Sequence, residues 1–373
     1  MTSVVSPPSL PAFQLLGQPV ELSHIERELQ VLFMDDSGDA DSPNAGGIAR
    51  ASLINLALYN ENQGELERDA SVLAELTSEA ACRSLLISAD TRHPELSARA
   101  WIQAHCQIDR TGEKSVCSEQ ISFFLTGNSP GLLRNVVLAH LDSDLPLAFW
   151  WRGEFSDAFE ERLYSRINRL LFDSESWASP RNQFIRLLEN QAGESSPFVM
   201  HDLAFTRLNS IRHAIANAFD RPAVVRELGS LSEVRIRYAK GYRMSALYLA
   251  AWIASKLEAR FDLSQSGPEH IIVLSGKKGF PSSCSIRIEA LDPQRKGTVE
   301  VDFLLGDIGI EISRCQTRDF IRTLTHRGPA TDEDWLPAKR MTDAALVTDI
   351  LNRAGRNRAY ARVLPGVQEL LTF

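Results

Sequence analysis

Cysteine is scarce in this chain: five in 373 residues, with no two in a C-x-x-C pair. That argues against thiolate zinc sites and against a disulfide-stapled scaffold. Cys82, Cys106, Cys117, Cys284 and Cys315 are each expected as small buried hydrophobes. No stretch approaches the roughly 20 apolar residues of a membrane helix. The N-terminus has no basic start and three prolines in its first eleven residues, which argues against an export signal. The cytoplasm is the expected location. The common chemical fingerprints are missing too. Gly276-Lys277-Lys278-Gly279 is a turn without the preceding glycine of a phosphate loop. No G-x-G-x-x-G follows a predicted strand, and there is no G-x-S-x-G elbow. The eight histidines are scattered, with no H-x-x-x-H pair. Metal and cofactor are therefore expected to be absent, and the chain is expected not to be an enzyme.

Lysine is the other scarcity, with 7 against 33 arginines. Residues 1–180 hold 13 Lys+Arg against 26 Asp+Glu, and residues 181–373 hold 27 against 22. The parts carry −13 and +5, within a whole of −8. The basic part is an arginine surface, suited to forked contacts with carboxylate or phosphate. It has no basic stripe, so nucleic acid is not expected as a partner. Hydrophobic residues at 44% and charged residues at 24% are ordinary for packed domains, and the length suits two cores.

Residues 1–47 read as a flexible tail, a short helix over Leu22–Phe33 and an Asp-rich linker. Residues 48–195 alternate strand and helix, which predicts an α/β domain with a mainly parallel sheet flanked by helices. Its strands are Leu53–Tyr59, Ser84–Ser88, Val116–Leu125, Leu145–Trp151 and Ile167–Phe172. Its helices are Leu66–Ser78, Glu95–His105, Pro130–Leu141 and Phe155–Arg166. The run LPLAFWW suits a strand covered on both faces. Residues 196–373 predict an α+β domain, an antiparallel sheet with helices on one face. Helices are expected over Phe205–Phe219, Met244–Leu257 and, last, Thr342–Arg353. Strands are expected over Glu233–Tyr238, His270–Leu274, Ser285–Ala290, Thr298–Leu305 and Ile308–Ser313.

Seven clusters in order carry a family resemblance. They are RASLINL (Arg50–Leu56), ACRSLLI (Ala81–Ile87), CSEQI (Cys117–Ile121), DLPLAFWW (Asp144–Trp151), LFDS (Leu171–Ser174), DLAFTRLNSIRHAIANAFD (Asp202–Asp220) and LAAWIASKL (Leu249–Leu257). The set resembles the glucose-6-phosphate dehydrogenase assembly proteins, the OpcA family, from Arg50 to Leu257 and more loosely to Ile312. Phe205 and Ile211 stand where many relatives have tryptophan. The resemblance implies a non-catalytic assembly factor and allosteric effector of glucose-6-phosphate dehydrogenase in the oxidative pentose phosphate pathway. It also implies thioredoxin as a second partner, with Cys82, Cys106 and Cys117 as candidate redox residues. A redox thiol must be exposed and electropositively placed.

Trp150, Trp151 and Arg152 close the most apolar strand, at the edge where parallel sheets bind ligands. Trp and Arg are frequent interface anchors, so these three are candidate partner-binding residues, against a plain core role for the tryptophans. Asp173 and Ser174 sit at the next strand's edge, where Asp173 either caps the following turn or meets a ligand. Arg207 and Arg212 lie five apart and point to different sides; one is expected to pair with Asp202, the other to face the partner. Glu119 interrupts an apolar face, so Arg50 or Arg83 is expected to pair with it in a structural network. Two rival readings stay open. One is a sensor holding a sugar phosphate or nucleotide near Trp151 and Asp173. The other is a divergent enzyme using Asp173, His201 and Cys117.

Overall fold

The computed structural model describes residues 13–35, 49–50, 52–108, 114–189, 198–267, 269–292, 299–353, 355 and 357–372. Two compact units emerge. The first holds Met1–Phe172, Leu187–Met200 and Asp343–Gly355; the second holds Asp173–Arg186, His201–Thr342 and Arg356–Phe373.

The first unit is built on a sheet of nine strands among the described residues. They are β1 (Gln18–Val20), β2 (Ala49–Arg50), β3 (Asn55–Asn60), β4 (Arg83–Asp90), β5 (Ser97–Ile108), β6 (Lys114–Thr126), β7 (Leu147–Arg152), β8 (Arg169–Phe172) and β9 (Val199–Asp202). The order is β1-β5-β6-β4-β3-β7-β8-β9, with β2 beside β6. β6, β4, β3, β7 and β8 run parallel, as expected for residues this apolar on both faces. β3 and β7 are buried almost along their whole length. The order leaves β3 in both directions, so a topological switch point lies between β3 and β7.

Three expectations need correction here. Glu95–His105 is strand β5, not a helix: it pairs antiparallel with β6 from Ser97 opposite Thr126 to Cys106 opposite Cys117, and a full ladder overrides local propensity. Phe155–Arg166 holds only a helical turn at Glu161–Tyr164, because Phe155 and Phe159 fold back onto Trp151, with ring centroids 5.4 and 5.5 Å away. Residues of the supposed tail, Gln18–Val20, pair with β5. The linker 36–48 lies outside the described residues.

The second unit carries β10 (Leu231–Tyr238), β11 (Ala259–Gly267), β12 (His270–Ser275), β13 (Ser283–Ala290), β14 (Val299–Leu305), β15 (Ile308–Arg314), β16 (Phe320–Arg327) and β17 (Ala330–Pro337). The order is β11-β12-β13-β10-β14-β15-β16-β17. Among the described residues the pairs are antiparallel except β10 with β13, which run parallel. The sheet is thus mostly antiparallel, as expected, with one parallel pair at its centre. The Arg243–Lys256 helix follows β10 and supplies the long crossover a parallel pair needs. Val234, Ile236, Ile286, Val301, Phe303, Ile310 and Ile312 fill the helix-covered face. Beyond Thr342–Arg353, a further helix, Arg358–Leu370, buries Tyr360, Val363, Leu364, Val367 and Leu370 as one stripe.

Candidate functional site

Trp150 is 1% exposed and Trp151 is not exposed at all, so neither reaches the surface as a partner contact. Trp151 is the hub of an aromatic core: its ring lies 4.5 Å from Tyr59, and its Nε1 donates to the Glu154 carbonyl at 3.0 Å. The core reading of both tryptophans replaces the partner reading. Arg152 turns inward. Its Nη1 lies 2.6 Å from Asp69 Oδ1, and its guanidinium stacks 5.3 Å from the Trp150 ring.

Asp173 and Arg207 do come together. Arg207 Nη1 donates to Asp173 Oδ1 at 2.9 Å and Nη2 to Oδ2 at 2.5 Å, a forked pair. Asp173 also accepts from the Glu175 amide at 3.3 Å, so it caps as well as pairs. Ser174 is fully buried, and its amide donates to Asp202 Oδ1 at 3.2 Å. The expected pairing of Asp202 with an arginine is corrected: Asp202 accepts from the Ala204 amide at 2.9 Å and from the Tyr248 hydroxyl at 2.7 Å. Burial pushes the Asp202 carboxyl up to about 6. Arg212 does not reach outward either. It stacks 3.7 Å from the Phe205 ring and donates to Asn209. His201 is buried, with Asn357 Nδ2 3.4 Å from its Nδ1. Among the described residues no group of His, Cys, Asp and Glu is placed to hold a metal ion.

Arg83 and Glu119 form the expected network, with Nη1 2.8 Å from Oε1 and both side chains buried. Arg83 also donates to the His140 carbonyl at 2.6 Å and pairs with Glu26, a partner the sequence did not announce. The Arg50 side chain lies outside the described residues; its backbone pairs with Cys117.

The thiols divide sharply. Cys82 is fully buried, and burial pushes its thiol up to about 12, so it is inert. Cys117, also fully buried, is disulfide-bonded, which corrects its reading as a free core hydrophobe. The Cys106 side chain lies outside the described residues. Cys315, not among the redox candidates, is the least buried free thiol among the described residues. Hydrogen bonding by Thr317 lowers its pKa.

A broad open surface lies on the second unit. The sheet face away from the helices carries the row Arg287, Arg235, Asp302, Glu311, Leu324 and Glu333 across six strands. Cross-strand charge pairs knit it: Arg237 to Asp302 at 2.8 Å, Arg287 to Glu233 at 3.2 Å and Arg322 to Glu333 at 2.5 Å. Two large apolar side chains break the charge, Leu304 at 46% exposed and Trp335 at 48%. Trp335 is the one exposed tryptophan of the six. Its ring meets Phe320 edge-on at 6.3 Å and Arg322 at 5.8 Å. Sequence reasoning missed it because strand β17 is exposed on both faces and shows no apolar alternation. The signal available was an isolated tryptophan within the polar run ATDEDWLP.

Comparison with known proteins adds the following. Residues 74–189 match the family model described as the glucose-6-phosphate dehydrogenase subunit N-terminal domain, and residues 199–364 match its C-terminal domain model. A protein named OxPP cycle protein OpcA from Synechocystis is 26% identical over 180 residues, covering 48% of this chain and 37% of the relative. The protein of that name from Nostoc punctiforme is 30% identical over 183 residues, covering 48% and 38%. The alignments thus span under two fifths of those relatives' length. Among solved structures, a 3-ketoreductase from Actinomadura kijaniata in complex with NADP is 12% identical with a TM-score of 0.46, covering 86% of this chain and 96% of that one. A UDP-N-acetylglucosamine 3-dehydrogenase from Acidithiobacillus ferrooxidans is 8% identical with a TM-score of 0.45, covering 86% and 97%. No helix among the described residues is long and apolar enough to cross a membrane.

Proposed function

Because this chain belongs to the OpcA family of glucose-6-phosphate dehydrogenase subunits, we propose that it is a non-catalytic effector that binds that dehydrogenase and favours its active oligomer. The observation that carries the docking surface is the exposed Trp335, flanked by Arg322 and Phe320 on the open sheet face. Trp and Arg are the residue types on which interfaces concentrate their energy. The mixed charges around them give orientation and on-rate more than affinity. A stable complex needs roughly 1,600 Å² of buried surface, which an eight-stranded face is broad enough to supply. The effector role requires tighter binding to the active oligomer than to the inactive one, since only differential affinity shifts such an equilibrium.

The test mixes the purified proteins at physiological salt. Co-elution with the dehydrogenase, a shift to its larger assembly and a lower apparent KM for glucose 6-phosphate are expected. Separate elution with unchanged kinetics would sink the proposal. Turnover by this chain alone, free of any dehydrogenase, would favour the divergent enzyme instead.

A further inference from the structure

The strand order β6-β4-β3-β7-β8-β9 is that of a dinucleotide-binding sheet, counted outward from β3. In that arrangement a pyrophosphate sits beyond β3, on the glycine-rich turn and the N-terminus of the following helix. We infer that this crevice has become an internal ion-pair lock, which excludes nicotinamide dinucleotides and ties Asp343, the first residue of the chain's own Asp343–Asn352 helix, to its rim.

Four features of the first unit support this. The turn reads Asn60-Glu61-Asn62-Gln63-Gly64-Glu65, with one glycine where three are needed. Its amides are already used: the Asn62 amide donates to Asn60 Oδ1 at 2.9 Å and the Gly64 amide to Asn62 Oδ1 at 3.2 Å. The switch point is filled. Arg152, which is Asn60's register partner on β7, pairs with buried Asp69 at 2.6 Å, and Asn60 Nδ2 donates to the other Asp69 oxygen at 2.6 Å. The charge has the wrong sign for a phosphate. Glu61, Glu65, Glu67, Asp69 and Asp343 gather here against Arg68 and Arg152.

The helix is gripped at both ends. Asp343 lies 3.1 Å from Arg68 and 3.9 Å from Arg152. At the far end Arg169 Nη1 donates to the carbonyls of Ile350 and Leu351 at 3.0 and 2.9 Å, groups a helix C-terminus leaves unpaired.

The test titrates NADPH by fluorescence, and NADP+ and NAD+ by calorimetry, into the full chain up to about 1 mM. Hydrogen exchange over residues 60–69 is followed alongside. No saturable binding, or binding that leaves this turn unprotected, supports the lock. Saturable binding that protects the turn overturns it. A second arm uses Asp343→Asn, which weakens the contacts to Arg68 and Arg152 and leaves the Arg152–Asp69 pair in place. Faster exchange in the Asp343–Asn352 helix, with the eight-stranded sheet unchanged, is expected; unchanged exchange in that helix overturns its role in the lock.

Discussion

The Tyr248 hydroxyl donates to Asp202 Oδ2 at 2.7 Å, with both side chains wholly buried. The Tyr360 hydroxyl sits 3.1 Å from that of Tyr248, so three polar groups share one interior position. Tyr248→Phe removes a donor and leaves a carboxyl in the core with one partner fewer. The expected loss is about 1–3 kcal/mol. Tyr360→Phe leaves the bond to Asp202 intact and is expected to cost less. Urea denaturation of the two variants checks the ranking; equal losses would show that the hydroxyls act as a unit.

Glu175 gives a pH dependence with a definite sign. Burial raises its carboxyl from 4.5 to about 7, offset in part by the amides of Ser245 and Met244, which it accepts at 2.6 and 3.1 Å. The folded chain therefore holds this proton more tightly than the unfolded one. The resulting stability is fully present below pH 4.5 and is lost as pH rises through about 7. Wild type minus Glu175→Gln isolates it from Asp69 and Asp202, which burial shifts the same way. The difference in melting temperature is expected to move against wild type across that interval. A flat difference would contradict the burial.

How much of this was readable beforehand varies by element, and the reasons are physical. Leu66–Glu79 was legible because its apolar residues recur with helical period. Arg243–Lys256 was found as a helix, but it is buried on every side from Met244 to Ala251, so the one-sided apolar stripe expected of it is absent. Strand β7 was legible as an uninterrupted apolar run. The Arg358–Leu370 helix was hidden by Pro365 within it, although its buried stripe is regular. At the sites, the partnership of Arg83 with Glu119 followed from one carboxylate on an apolar face. Asp69, Asn60 and Asp343 around Arg152 did not, because their meeting depends on strand order and on a helix some 275 residues after Arg68.

The Arg83 pair makes a further prediction. Arg83→Met removes the Arg83 cation from buried Glu119, and a loss of up to about 3–5 kcal/mol is expected. Arg83→Met with Glu119→Leu removes both charges and is expected to recover part of that loss, since the isolated charge is what costs most. Chemical denaturation of the singles and the double gives the coupling. Additive losses would mean that the two side chains do not interact.

Thiol accessibility separates the cysteines. Cys315 lies toward solvent with a lowered pKa, while burial raises Cys82 to about 12 and Cys284 to about 11. Iodoacetamide on the native chain is expected to modify Cys315 first, with Cys82 and Cys284 reacting only on unfolding. Peptide mapping after brief labelling checks this. Early modification of Cys82 would require β4 to open.

Trp335 offers the sharpest separation between binding and stability. At 48% exposed on edge strand β17, it contributes little to the core, so Trp335→Ala is expected to leave the melting temperature nearly unchanged. If the open sheet face meets the dehydrogenase, the same substitution removes a central aromatic anchor and costs about 2 kcal/mol or more of binding, roughly a thirtyfold weaker complex. Trp151→Ala, by contrast, is expected to unfold the first unit's aromatic core and to lose binding only through lost structure. Titration calorimetry and melts on both variants distinguish the two. A folded Trp335→Ala chain that binds the dehydrogenase with wild-type affinity would move the interface off this face.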